Sequence, residues 1–215
     1  MKIRTMWLVM VALFPLAAIS TQAQGRLDRL EVTPFVGWET SGSYPINSTT
    51  GDVDQLRING SVAFGGFIDY NLTESFQPEF IWNRNNTSYS AHDVATNAYF
   101  NAFHTDNDQF QFGGIFMFRN SEVKLRPYVG AGLGFTHESN SNGNPDRTAF
   151  SWNIGGGVKY YATRHIGFRG DIRYMPTYGS TSLGQYCDPF FGCYQANVHN
   201  YLNRANAVAG IIIKF

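Results

Sequence analysis

The chain has 215 residues, of which 43% are hydrophobic, 16% aromatic and 15% charged, and sixteen basic residues balance sixteen acidic ones. Neutrality without a basic run excludes an electrostatic footprint for nucleic acid, and abundant aromatics at zero net charge exclude a disordered chain. A mean hydropathy of −0.24 excludes a bundle of transmembrane helices but not a membrane barrel, whose polar lumen cancels its apolar outer wall in any average.

Met1–Ala23 has the layout of a secretory signal peptide. Lys2 and Arg4 make a positive start, Trp7–Ile19 is an uncharged apolar run, and Thr21-Gln22-Ala23 supplies small residues before a cut at Gln24. The apolar run is shorter than the roughly 20 residues a helical anchor needs. Cleavage would leave a domain of residues 24–215, with 14 basic and 16 acidic residues.

From there the chain alternates with period two, the signature of half-buried strands. In chain order the alternating segments are Arg29–Glu39, Ile58–Tyr70, Ser75–Asn83, Gln109–Phe118, Val123–Thr136, Phe150–Tyr161, Ile166–Met175 and Asn203–Phe215. Within Ile166–Met175, for example, Ile166, Phe168, Ile172 and Tyr174 oppose Arg169, Asp171 and Arg173. The connections alternate as well. Short ones are Asn71–Glu74, Arg119–Glu122 and Ala162–Arg164; long ones are Thr40–Arg57, Arg84–Asp108, His137–Ala149 and Gly179–Leu202. Short turns at one rim and long loops at the other belong to an outer-membrane barrel.

Aromatics collect at both strand ends. Tyr70, Phe76, Phe118, Tyr160 and Phe215 fall beside the short turns, and Trp38, Trp82, Phe135, Phe150, Trp152, Tyr174 and Tyr201 fall toward the long loops. Two such belts match the girdles of a bilayer-spanning barrel and favour it over a soluble lipocalin-type barrel. The fold expected is all-β: an eight-stranded antiparallel transmembrane barrel with short periplasmic turns and long extracellular loops.

RPYVGAGLGF (Arg126–Phe135) and GGGVKYYATRHIGFRGDIRY (Gly155–Tyr174) resemble the small outer-membrane β-barrel superfamily of OmpA-like, OmpX-like and opacity-type surface proteins. The final AGIIIKF resembles the terminal assembly strand of such proteins, with Phe215, Ile213 and Ile211 on one face. The resemblance implies the bacterial outer membrane, contact with outer-membrane lipid and lipopolysaccharide, and handling by the barrel-assembly machinery. It implies no single activity, because this barrel hosts many roles.

Alternation points Glu31, Glu39, Asp69, Glu79, Arg126, Lys159, Arg169, Asp171, Arg173, Arg204 and Lys214 inward, six basic against five acidic. Charges in a narrow lumen must pair. The network is expected to centre on Glu79, with Arg126, Arg169 or Arg173 as its partner and with Lys159 and Asp171 nearby. A gated ion path is the alternative.

Signals for catalysis are thin. His137 and Ser139 share a face that alternation turns to lipid, and they supply two parts of a nucleophilic triad at most. A lipid A-modifying enzyme is therefore the remoter alternative. His104, Asp106 and Asp108, and likewise Asp52 and Asp54, read as solvated loop groups; no cofactor or metal is expected. Cys187 and Cys193, in CDPFFGC, are expected to close a small disulfide loop in an oxidising compartment. Recognition of a surface ligand, if present, belongs to the long loops. The function expected is non-enzymatic: envelope integrity or surface interaction.

Overall fold

A sheet closed on itself lets every backbone group pair without leaving an edge, and alternation then gives it two chemically distinct faces. The computed structural model describes residues 29–45, 47–48, 53–118, 123–140, 146–179, 185–188, 192–195 and 200–215. Eight wall strands close the sheet: β1 (Leu30–Ser41), β2 (Ser61–Tyr70), β3 (Phe76–Asp93), β4 (Ala98–Met117), β5 (Leu125–Asn140), β6 (Arg147–Tyr161), β7 (Ile166–Tyr174) and β8 (Arg204–Lys214). Each pairs antiparallel with the next. β8 returns to β1, with Glu31 opposite Lys214 and Ser41 opposite Arg204. No helix occurs among the described residues, and the signal segment Met1–Ala23 lies outside them.

The barrel is inside out. Along β7 every second residue is buried, and the buried set includes Arg169, Asp171 and Arg173, while Ile166, Phe168, Ile172 and Tyr174 face outward. Phe112 and Ile172 are each 68% exposed, whereas Lys159 is 0% and Arg169 2% exposed. Buried charge beneath an exposed apolar wall is the arrangement of a protein solvated by lipid, since water would reverse it. Phe76, Phe118, Tyr160 and Phe215 stand exposed at the short-turn rim, and Trp38, Phe135, Phe150 and Tyr174 toward the other.

The narrow lumen has a local requirement at Gly157. A Cβ there would meet the Gly170 carbonyl and lie 2.6 Å from the Tyr128 hydroxyl, so only glycine lets Tyr128 lie across the lumen.

All four long connections carry strand where the sequence predicts loop; His137–Ala149, for one, loses residues to β5, which runs to Asn140, and to β6, which starts at Arg147. Arg84–Asp108 is largely strand: β3 runs to Asp93 and β4 starts at Ala98, so this hairpin rises well past the bilayer. Asn, Ser, Thr, Asp and His are mixed there with Ala, Tyr and Phe, because beyond the apolar slab neither face needs an unbroken hydrophobic set; the alternation signal fades while the pairing continues. At the hairpin tip Asp93 accepts from the Thr96 hydroxyl (2.7 Å) and the Ala95 amide (2.9 Å), bonds that hold its carboxyl below the usual carboxylate range. Asn97 takes the left-handed conformation (φ 52°) that completes the turn.

Thr40–Arg57 also carries strand. Ser43–Pro45 pairs with Val53–Ile58, which pairs in turn with the upper part of β3. In Gly179–Leu202, Thr177–Gly179 pairs with Asn200–Leu202, and Gln185–Asp188 pairs with Gly192–Gln195.

Candidate functional site

The lumen is filled by stacked polar layers. Nearest the short turns, Lys159 Nζ donates to Glu31 Oε2 (2.9 Å), Asp69 Oδ2 (2.8 Å) and Gln77 Oε1 (2.7 Å). Those three acceptors use all three ammonium hydrogens. Tyr161 adds a hydroxyl donor to Glu31 at 3.0 Å.

The next layer centres on Arg169. Its Nη1 reaches Asp69 Oδ2 (3.0 Å), and its Nη2 reaches Glu79 Oε2 (2.5 Å) and Asp171 Oδ2 (2.9 Å). Its Nε donates to the Tyr128 hydroxyl at 2.7 Å, and that hydroxyl donates in turn to Asp171. Arg173 completes the layer on Glu79 Oε1 (2.7 Å), Asp171 Oδ1 (2.8 Å) and Asn153 Oδ1 (2.9 Å). The Arg169 guanidinium carbon lies 3.6 Å from the Phe67 ring centroid. Phe67 belongs to an apolar island with Phe35, Ile81 and Val208, also inside the barrel. Ion pairs and hydrocarbon together fill this level, where the buried Asp69 Oδ1 has no hydrogen-bond partner among the described residues.

Toward the long loops the character changes. Arg204 reaches Glu138 Oε1 (2.7 Å), Asn107 Oδ1 (3.2 Å) and Glu39 Oε1 (3.4 Å). Asn83 bridges Glu39 (2.9 Å) and Gln109 (3.0 Å). Several buried polar atoms here have no protein partner: Ser61 Oγ, Asn83 Oδ1, Asn85 Oδ1, Asn107 Nδ2 and Gln109 Nε2. The registers set these residues on adjoining strands. Buried polar groups without protein partners are ordinarily met by water.

The sequence-derived network is redistributed by depth. Glu79, Lys159, Arg169, Asp171 and Arg173 come together, but Arg126 does not join them. It sits at the short-turn mouth, its guanidinium carbon 4.5 Å from the Tyr161 ring centroid and its Nε on the Val123 carbonyl. Lys214 also stands at the mouth, 4.0 Å from Glu31. Glu138, absent from the inward set read from the sequence, is 4% exposed and pairs with Arg204. Six basic against five acidic therefore becomes four buried cations (Lys159, Arg169, Arg173, Arg204) among six buried lumen carboxylates (Glu31, Glu39, Asp69, Glu79, Glu138, Asp171), with Asp93 at the hairpin tip the seventh buried carboxylate of the described residues. Carrying the alternation two residues beyond Thr136 would have turned Glu138 inward.

The remaining candidates with described side chains lie outside the lumen, whereas Asp52 and the side chain of Asp54 lie outside the described residues. Asp106 and Asp108 bind Arg84 at 3.5 and 3.4 Å on the outer face. No group of three metal-ligating side chains occurs among the described residues. His137 Nε2 lies 3.4 Å from Ser139 Oγ, but its Nδ1 meets the Thr148 hydroxyl at 2.9 Å, where a triad would place a carboxylate. Ile211, Ile213 and Phe215 share the exposed face of β8 and its end.

Cys187 stands directly opposite Cys193 in the Gln185–Asp188/Gly192–Gln195 hairpin; their side chains lie outside the described residues. Opposed residues of an antiparallel pair have Cα atoms about 4.5–5.5 Å apart, within the reach of a disulfide. Unreduced protein is expected to take up no thiol label and reduced protein two equivalents. Labelling of both cysteines without reduction would contradict the pairing.

A family model described as "Outer membrane protein beta-barrel domain" matches residues 9–199. No curated protein matches the chain by sequence. Among solved structures it is similar to the outer membrane protein OprG from Pseudomonas aeruginosa, with TM-score 0.62 and 12% identity over 86% of this chain and 95% of that one. It is also similar to Neisserial surface protein A (NspA), with TM-score 0.52 and 15% identity over 86% of this chain and 97% of that one. At such identities the likeness is one of fold.

Proposed function

Because the chain belongs to the outer membrane protein β-barrel domain family and resides in the bacterial outer membrane, we propose that it acts as a closed, non-enzymatic barrel serving envelope integrity or surface interaction. Its recognition elements are the long extracellular hairpin of β3 and β4 and the loops around it. The observation that carries this reading is the Arg169 layer. One guanidinium engages Asp69, Glu79 and Asp171 while its face lies against Phe67, so the lumen has no open path at that level. An eight-stranded barrel leaves an interior that side chains just fill. Outer-membrane lipid and lipopolysaccharide are the partners of its wall, and the barrel-assembly machinery is the partner of the strand ending at Phe215.

A narrow ion channel is the second reading, favoured by the buried polar atoms without protein partners at Asn83, Asn107 and Gln109. Planar-bilayer recording separates the two. The closed barrel is expected to give no discrete current steps above the lipid background. Reproducible steps from single insertions would replace it with the channel.

A further inference from the structure

The short-turn rim holds a cleft of about 620 Å³ lined by Lys124, Arg126, Arg164, His165, Lys214 and Phe215, among others. None of its described lining side chains is an Asp or Glu. The backbone that carries the cations is fixed by hydrogen bonds. Thr163 Oγ1 accepts from the Ile166 amide (3.0 Å) and the His165 amide (3.3 Å), fixing the turn that carries Arg164. The Lys124 carbonyl accepts from the Tyr161 amide (2.9 Å), and His165 Nδ1 contacts the Lys214 carbonyl (3.1 Å). Arg126 is steadied over the Tyr161 ring.

Directly outward of this cleft the wall is apolar: Leu125, Tyr160, Ile166, Ile213 and Phe215 are each more than 40% exposed. A ligand fitting both features has a phosphate on the rim and hydrocarbon along the wall. The short turns face the periplasm, which puts the cleft at the headgroup level of the inner leaflet. Basic pockets at membrane surfaces recognise anionic headgroups by this arrangement.

We propose that the cleft binds the phosphate of an anionic phospholipid from the periplasmic leaflet, with Lys124, Arg164 and Lys214 as its cationic contacts and the acyl chains lying along Leu125, Tyr160, Ile166 and Ile213. The site is independent of any pore or surface role.

Native mass spectrometry of the folded protein with equimolar phosphatidylglycerol and phosphatidylcholine tests this. Wild type is expected to retain phosphatidylglycerol in preference, and Lys124→Gln/Arg164→Gln to lose most of that preference, about fivefold for each charge removed. Arg164→Gln alone, on an exposed turn, is expected to lose part of it and serves as the second variant if the double one does not fold. Arg29→Gln, outside the cleft, is expected to keep it. Equal retention of the two lipids by wild type would overturn the proposal, as would an undiminished preference in both variants. Displacement of phosphatidylglycerol by millimolar inorganic phosphate would overturn the lipid assignment in favour of a free-anion site.

Discussion

Replacing Arg169 with Leu is expected to lower the stability of the folded barrel more than any other single lumen substitution, by about 3–5 kcal/mol. The side chain is 2% exposed and touches three carboxylates, and its loss leaves Asp69, Glu79 and Asp171 sharing only Lys159 and Arg173. Leu approximates the volume of the stem but cancels no charge, and the low-dielectric lumen screens the remaining carboxylates poorly. Arg126→Leu is the matched control. Arg126 stands at the wet mouth, outside the central layer, so its removal is expected to cost about 1 kcal/mol or less. Urea titrations in micelles, read by the gel migration of unheated samples, check the contrast. Equal midpoints for Arg169→Leu and wild type would show that the layer does not hold the barrel.

Phe112→Arg is expected to destabilise the barrel by about 2–4 kcal/mol in a bilayer, the cost of a cation at midplane on the lipid face. Phe112 lies near the middle of the membrane-spanning part of β4 and is 68% exposed. Trp38→Arg, nearer the extracellular rim, is expected to cost about 0–1 kcal/mol, because the penalty falls toward the interface. The gradient discriminates between solvents. In a water-soluble barrel both sites would already face water, and arginine at either would be close to neutral. Refolding into vesicles at graded urea measures the two costs; similar small values would remove the lipid-facing assignment.

Period-two alternation carries information about face and almost none about depth. The face of every charged residue in Ile166–Tyr174 was legible, since Arg169, Asp171 and Arg173 each sit between outward apolar neighbours. Depth depends on strand tilt and stagger, which link residues across the lumen that no local pattern connects. Arg169 meets Glu79, 90 positions away, and Lys159 meets Glu31, 128 positions away. Arg126 shares the face of Tyr128 and stands opposite Lys159 in the register, yet its guanidinium turns to the Val123 carbonyl and the Tyr161 ring at the mouth, a side-chain direction that no local pattern fixes. The extensions of β3 and β4 were illegible for a different reason. Past Asn83 and before Gln109 hydrophobic contrast ends with the bilayer, while backbone pairing, from Arg84 opposite Asp108 to Asp93 opposite Ala98, continues the sheet, joined by polar contacts such as Arg84 with Asp106 and Asp108. The polar lumen atoms without protein partners belong to the same unreadable category, because an Asn on an inward face looks identical in sequence whether a side chain or water meets it.

An apolar wall in lipid around a lumen closed by ion pairs sets what each position along β4 can collide with, and spin-label accessibility reads it position by position. Labels are placed singly at Gln109, Phe110, Gln111, Phe112, Gly113 and Gly114 of protein folded in lipid vesicles. High collision rates with oxygen and low ones with a water-soluble nickel chelate are expected at the outward positions Phe110, Phe112 and Gly114, and low rates with both at Gln111, beside the ion layer. High nickel accessibility at Phe112 would contradict the lipid-facing wall, and high nickel accessibility at Gln111 would contradict the closed lumen.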